Sequence, residues 1–225
     1  MTPTTFRALA TDYDGTIATH GVVSESTLEA LRTLRASGIT TMLVTGREIP
    51  DLLSVFSEPA IFDLIVAENG ALLYWPLTKI EKPLAAPPPP HFAEVLRENA
   101  VNILSVGRVI VATVDPYENP VRKTISELEL DLEVIPNKGS LMILPKGIDK
   151  GFGLAAALRE LNIAGKAVVA VGDAENDHSL FRGAGYSAAV ANALPALKAQ
   201  ASWVAPSGHG KGVRELIEHI IQEDR

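Results

Sequence analysis

An alternation restricts the fold more than any other feature. Short apolar runs are separated by stretches with helical spacing, both near the start of the chain and near its end. Residues 6–11 (FRALAT) are largely apolar and stop at a turn signal, which predicts a buried strand. From Ser24 onward, Thr27, Leu28, Leu31 and Leu34 recur at helical spacing and Gly38 ends the run, which predicts a capped amphipathic helix. Residues 39–45 (ITTMLVT) predict a second strand, EIPDLLSVFSE a second helix and residues 61–67 (IFDLIVA) a third strand. The last third repeats the pattern. KGFGLAAALRELNI predicts a helix, residues 167–172 (AVVAVG) a strand, ENDHSLFRGA a short helix and YSAAVA a strand. LPALKAQA, SWVAP and GVRELIEHIIQE complete a helix, a strand and a helix. Strands joined through helices need right-handed crossovers and a parallel sheet. The expected fold class is therefore α/β, with a Rossmann-like doubly wound parallel sheet.

Between about residues 72 and 147 the alternation is lost. AAPPPPHFAEVLREN reads as a proline run entering a helix, where proline is tolerated because its missing N–H has no partner there. The same run also fits a ligand for a polyproline-binding partner, although a helical pattern follows it at once. ILSVGRVIVATV predicts strand with a hairpin near Gly107, NPVRKTISELEL a helix, and DLEVIP and SLMILP a hairpin around NKG. This predicts a small α+β unit inserted into an α/β core. The expected division is a discontinuous core of residues 1–75 and 148–225, with 76–147 inserted.

The polar motifs fall at matching places. Asp12 and Asp14 follow the first strand, Thr45, Gly46 and Arg47 the second, and Asp173, Asn176 and Asp177 the strand AVVAVG. Ligands of open parallel sheets bind at the carboxyl ends of the strands, where strand order reverses. Each motif alone has a plain reading: DYDG as a turn, GDAEND as an acidic helix cap, TGR as a capping loop. Their gathering at one sheet edge is harder to explain that way. Facing carboxylates repel unless a cation lies between them. The chain has no cysteine and no histidine cluster, so the available ligands are hard oxygens, which favour Mg²⁺ over Zn²⁺. A carboxylate beside such an ion can act as a nucleophile on phosphorus, and a second can manage the proton. Phosphoryl chemistry also needs a fixed cation. Lys150 fits, because a lysine opening a helix is unfavourable against the dipole and so asks for a reason. Lys146 stands close by, and a solvated surface lysine is the plain alternative.

DYDGT, TGR, the lysine opening a helix and GDAEND, in that order, resemble the four motifs of the haloacid dehalogenase (HAD) superfamily of aspartate-nucleophile phosphotransferases. The inserted unit and ENGA (residues 68–71) resemble its capped subgroup acting on phosphosugars and phosphoglycolate. The resemblance implies a HAD-like core with an α+β cap domain and Mg²⁺ as cofactor. It implies Asp12 as nucleophile and metal ligand, and Asp14 as general acid/base with its backbone carbonyl on the metal. It implies Thr45 with its neighbours Gly46 and Arg47 at the phosphate, Lys150 steadying Asp12, Asp173 and Asp177 at the metal, and Asn176 positioning Lys150 or phosphate. A sugar phosphomutase sharing the nucleophile is the nearest rival. A dinucleotide-binding protein, from GFGLAA (residues 151–156), is a distant one, since no clear strand precedes it. GHGKG (residues 208–212) is no P-loop, because Gly212 stands where a Ser or Thr should hold the metal.

Charge narrows the partners. The formal net charge is −7, with 20 Lys and Arg against 27 Asp and Glu and no basic block, which argues against nucleic acid. A small phosphorylated metabolite is expected instead. Specificity should come from the inserted unit, with Arg47, Arg122, Lys123 and Lys138 as candidates to meet the substrate. No apolar run reaches the length of a membrane span and no signal-peptide core opens the chain, so a cytoplasmic monomer or homodimer is expected.

Overall fold

A computed structural model describes residues 6–223; residues 1–5 and 224–225 of the expected core lie outside it. In chain order the elements are β1 (Ala8–Thr11), β2 (Ala18–Thr19), β3 (Val22–Val23), α1 (Glu25–Ala36), β4 (Thr40–Val44), α2 (Ile49–Val55), β5 (Leu64–Ala67), β6 (Leu72–Trp75) and β7 (Ile80–Pro83). Then come α3 (Pro90–Glu98), β8 (Ser105–Val106), β9 (Val111–Val114), α4 (Glu118–Glu127), β10 (Leu132–Asn137) and β11 (Ser140–Pro145). The chain ends with α5 (Lys150–Leu161), β12 (Val168–Gly172), α6 (Asp177–Arg182), β13 (Tyr186–Ala189), α7 (Pro195–Lys198), β14 (Trp203–Val204) and α8 (His209–Glu223). No described helix is long and apolar enough to cross a membrane.

The large sheet runs β14-β13-β12-β1-β4-β5-β6-β7. It is parallel from β14 to β5 and antiparallel across β6 and β7. Strand β1 is buried along its whole length, as is β12, which is why both read as unbroken apolar runs rather than alternating ones. Helix α1 starts where expected: the Ser24 hydroxyl accepts the Thr27 N–H, and Thr27, Leu28, Leu31 and Leu34 form its buried face. The third strand starts later than expected, at Leu64. Pro59–Ile61 form a 3₁₀ turn instead, and the Asp63 carboxylate accepts the Thr41 N–H at 2.9 Å, tying that turn to β4.

The second sheet, β10-β11-β9-β8, is antiparallel, and its own core holds Phe92, Leu96, Val101, Val111, Val121, Leu132 and Ile143. Both expected hairpins form. At NKG, Asn137 pairs with Ser140, and Lys138 (φ 49°) and Gly139 (φ 85°) take the left-handed conformations that a tight two-residue hairpin turn demands. The proline run enters α3, with Pro90 in its first turn. Strand β7 pairs with β6 in the large sheet, so the boundary expected at residue 75/76 falls inside the β6–β7 hairpin.

One buried carboxylate joins the two sheets. Glu68, just past β5, accepts the backbone N–H groups of Arg108 (2.8 Å), Val109 (2.7 Å) and Ile110 (2.9 Å), which lie between β8 and β9. A small apolar cluster, including Ala71, Val109, Ile110 and Met142, surrounds this junction. Removing the carboxylate strands three donors, two of them in buried bonds. Glu68→Ala should therefore lose roughly 2–5 kcal/mol of stability in urea unfolding, and Glu68→Gln less. A loss below about 0.5 kcal/mol for Glu68→Ala would contradict this role for the carboxylate.

Candidate active site

Strand β1 lies between β12 and β4, and the chain leaves it toward β4 first and toward β12 later. The crevice at this reversal collects residues from four strand ends. Asp12 and Asp14 follow β1, Thr45 to Arg47 follow β4, Glu68 to Gly70 follow β5, and Asp173 follows β12. Asn176 and Asp177 open α6, and Lys150 opens α5 under the Asp149 cap, whose carboxylate accepts the Phe152 N–H at 2.8 Å.

Lys150 is the centre of the cluster. It is 1% exposed, and its Nζ donates to Asp12 Oδ1 and to Asp177 Oδ1, each at 2.6 Å. Asp177 Oδ2 accepts the backbone N–H groups of Asp173 (2.8 Å) and Ala174 (2.9 Å). Asp177 therefore fixes both the lysine and the loop that carries Asp173. Asp173 Oδ1 accepts the Thr16 hydroxyl at 3.2 Å, and its Oδ2 accepts Lys138 Nζ at 2.6 Å. Lys138 Nζ also donates to the Asp14 backbone carbonyl at 3.0 Å. The Asp14 carboxylate lines the cavity beside this cluster and is clamped by Arg47, Nε at 2.6 Å and Nη2 at 2.8 Å.

Burial pushes the Asp12 carboxyl up to about 7; nearby Asp177 and Asp173 add to the rise, and Lys150 opposes it. Burial opposes the charge on Lys150, but Asp12 and Asp177 outweigh it and drive its pKa up, so it stays an ammonium. Burial also raises Asp173, against the pull of Lys138.

The donor set fits a hard divalent cation. Asp12, Asp173 and Asp177 are all buried, and each offers a carboxylate oxygen within 4.8 Å of the others. An ammonium, Lys138, already lies against two oxygens of this neighbourhood, so a positive charge is accommodated there. All these donors are oxygens, as Mg²⁺ or Ca²⁺ prefers. Asp14 joins this neighbourhood through its carbonyl and not its side chain.

A cavity of about 510 Å³ opens over the cluster, lined by Asp12, Gly46 and Asn176 from the large sheet and by Ser105, Lys138 and Met142 from the inserted unit. A wider hollow of about 610 Å³ lies near the amino ends of β4 and β5, where Arg32 and Arg35 pair with Glu25, Glu58 and Asp63. Thr45 is buried beside the cavity, its hydroxyl accepting the Arg47 N–H at 3.1 Å. Arg47 meets Asp14 and Asp51. Of the other candidate cations, Lys138 reaches the cluster, whereas Arg122 and Lys123 pair with Glu118 and Glu127 one helical turn away and Lys146 pairs with Asp131. The glycines of GFGLAA serve packing, not phosphate. A Cβ at Gly151 would strike the Ser179 carbonyl, and one at Gly153 would strike Val66 and Gly70. His178 bonds Gln200 at 2.8 Å.

Asn69 escaped the sequence reading as a site residue. Its Oδ1 accepts Asn176 Nδ2 at 2.9 Å, and both Asn69 Nδ2 and Asn176 Oδ1 are buried without a protein partner. The signal was present: an Asn-Gly pair one residue past an apolar strand, at the same edge as the other motifs. Asn192 was also missed. It bonds the Gly15 carbonyl at 2.8 Å and accepts the His209 N–H at 2.7 Å, bracing the Asp14 loop from a distant segment.

The Asp12 carboxyl gives a pH test. With its folded pKa near 7 against an ordinary 3.8, folding favours its protonated form. That contribution is full below about pH 4 and is lost as the pH rises to about 7. Asn carries no such charge. In EDTA, the melting temperature of Asp12→Asn minus that of the wild type should therefore widen between pH 4 and pH 8, and Mg²⁺ should narrow it again at pH 8. A difference that is flat or shrinks with pH would contradict the origin assigned to the shift.

The haloacid dehalogenase-like hydrolase family model matches residues 9–106 and 90–217. The chain is 33% identical to a phosphoglycolate phosphatase of Saccharolobus solfataricus over 95% of its own length and 91% of the relative's. It is 28% identical to a phosphoglycolate phosphatase of Methanothermobacter thermautotrophicus, over 96% and 99%. A solved haloacid dehalogenase-like hydrolase from Bacteroides thetaiotaomicron shares the fold with a TM-score of 0.83 at 22% identity, covering 96% of this chain and 99% of that one. With the doubly wound sheet and the inserted α+β cap, these matches make the chain a member of the haloacid dehalogenase-like hydrolase family.

Proposed function

We propose that the chain is an Mg²⁺-dependent phosphatase that hydrolyses a small phosphorylated acid, with phosphoglycolate as the first candidate, through an aspartyl phosphate on Asp12. The observation that carries this reading is the buried Lys150 ammonium held 2.6 Å from both Asp12 and Asp177, with Asp173 beside them. The names of two full-length relatives support the substrate class.

In this reading Asp12, Asp173 and the Asp14 carbonyl hold the divalent ion, with Asp177 fixing Asp173. The ion supplies charge neutralisation to the phosphoryl oxygens. An Asp12 carboxylate oxygen attacks phosphorus as the P–O bond to the leaving oxygen breaks, and Asp14 gives that oxygen its proton. Asp14, now a carboxylate, takes a proton from water as the water attacks the same phosphorus, freeing phosphate and restoring Asp12. Lys150 keeps Asp12 aimed and balances the incoming charge. Arg47 holds the Asp14 side chain by both carboxylate oxygens, so one of these contacts opens when Asp14 carries the proton. Asn69 Nδ2 is a buried donor for a phosphoryl oxygen, and Asn176 Oδ1 is a buried acceptor for water. The inserted unit, taken as the segment after β7 up to residue 147, caps the cavity and keeps bulk water from the intermediate.

Phosphate release from phosphoglycolate should require Mg²⁺ and stop in EDTA. It should fall by at least about 10³-fold in Asp12→Asn, whose amide cannot form the intermediate. Lys150→Met should lose comparable activity, and it should also unfold more easily by about 3–5 kcal/mol, since it leaves two buried carboxylates without their cation. Retained turnover in Asp12→Asn would contradict the reading.

A further inference from the structure

Six charged residues line the cavity: Asp12, Asp14, Glu48 and Asp51 are acidic, and Arg47 and Lys138 are cationic. Arg47 is paired through all three of its nitrogens with acidic side chains, Nε and Nη2 on Asp14 and Nη1 on Asp51. Lys138, in the turn between β10 and β11, is the one charged residue among the lining positions that the inserted unit contributes. A substrate with a carboxylate besides its phosphoryl group brings negative charge into this acidic space. Lys138 is the cation placed to meet it.

Its mounting suits that task. Lys138 occupies the first turn position of the β10–β11 hairpin in a left-handed conformation, and β11 is paired on both sides, with β10 and β9. The Cα is thus fixed by a sheet, while a flexible four-carbon stem carries the charge. The side chain is 42% exposed, against 1% for Lys150, so its ammonium can change partners. Its present partners are Asp173 Oδ2 at 2.6 Å and the Asp14 carbonyl at 3.0 Å. These are two of the oxygens assigned above to a divalent ion. A divalent cation binds such oxygens more strongly than an ammonium does. Asn137 and Ser140, on either side of the turn, also line the cavity and add polar groups next to the lysine.

We propose that Lys138 is the specificity-determining residue of the cap, competing with the divalent ion for Asp173 and, once displaced, binding the substrate's carboxylate. The proposal rests on the phosphatase reading above. It assigns the carboxylate to the cap lysine and leaves the phosphoryl group to the large-sheet residues.

Two measurements test it on the full chain. The first compares kcat/KM for phosphoglycolate with that for ethyl phosphate, which lacks the carboxylate, at saturating Mg²⁺. In Lys138→Ala the preference for phosphoglycolate should fall by about 10- to 100-fold, carried by KM, as expected for one lost charge-assisted contact. Lys138→Arg should keep part of the preference. The second measures Mn²⁺ affinity without substrate by electron paramagnetic resonance. Lys138→Ala should bind Mn²⁺ about two- to fivefold more tightly, the size of a partly exposed ion pair. An unchanged ester preference overturns the proposal, as does Mn²⁺ affinity that is unchanged or weaker. A wild type that hydrolyses ethyl phosphate but does not prefer phosphoglycolate overturns the role of Lys138 alone. A wild type that hydrolyses neither ester overturns the phosphatase reading and this proposal with it.

Discussion

Lys150 lies between Asp12 and Asp177 with almost no access to water, and the rest of the site is arranged around that contact. Burying an ammonium and two carboxylates costs a great deal of hydration, and apolar side chains of the same volume would make a more stable core. The chain keeps the charges and surrounds them with compensation. Asp177 takes two backbone N–H groups on its other oxygen, Asp149 caps the helix that presents the lysine, and Gly153 lets that helix lie directly on Gly70 and Val66. The close approach of α5 to the β5 edge brings a lysine from one half of the sheet to an aspartate of the other.

The two sheets communicate through few groups, each at the carboxyl edge of the large sheet. Glu68 grips the backbone between β8 and β9, Lys138 reaches down to Asp173 and the Asp14 carbonyl, and Met142 packs over Gly46. Glu68, Asn69 and Gly70 all take positive φ, so the chain turns sharply just where β5 ends. That turn points one side chain to the cap and the next to Asn176. The edge that gathers the acids is thus also the edge that meets the second sheet, and Lys138 links that sheet to Asp173 directly.

Much of this was legible in the residues. Asp12, Asp173 and Asp177 were readable because each follows an apolar run too regular to be anything but a buried strand, and a parallel sheet sends such positions to one edge. Lys150 was readable because it opposes the helix dipole. The limits were physical as well. The Asp14 side chain was expected to work beside Asp12, and both line one cavity, while its pairing with Arg47 could be found only in three dimensions. Lys138 looked like Arg122 and Lys123, since nothing in local sequence says that a hairpin turn points into a cavity while a helix face points to solvent. Strand β7, with an exposed, charged pattern, gave no sign of joining the large sheet, because an edge strand has one neighbour and no apolar face to declare it. Asn192 acts across 177 residues of sequence separation, beyond the reach of any local pattern.

In the proposed reaction Asp12 carries the phosphoryl group. The most direct measurement is an acid quench of Asp14→Ala during turnover of an aryl phosphate, followed by mass spectrometry of the peptide containing residue 12. An aryl leaving group needs little protonation, so the first step should proceed without Asp14, while attack by water, which needs the base, should slow. A phosphorylated Asp12 peptide should accumulate in Asp14→Ala and be absent when Asp12 is also changed to Asn. Turnover by the wild type with no phosphorylated peptide in Asp14→Ala, or a phosphoryl group on a different residue, would contradict it.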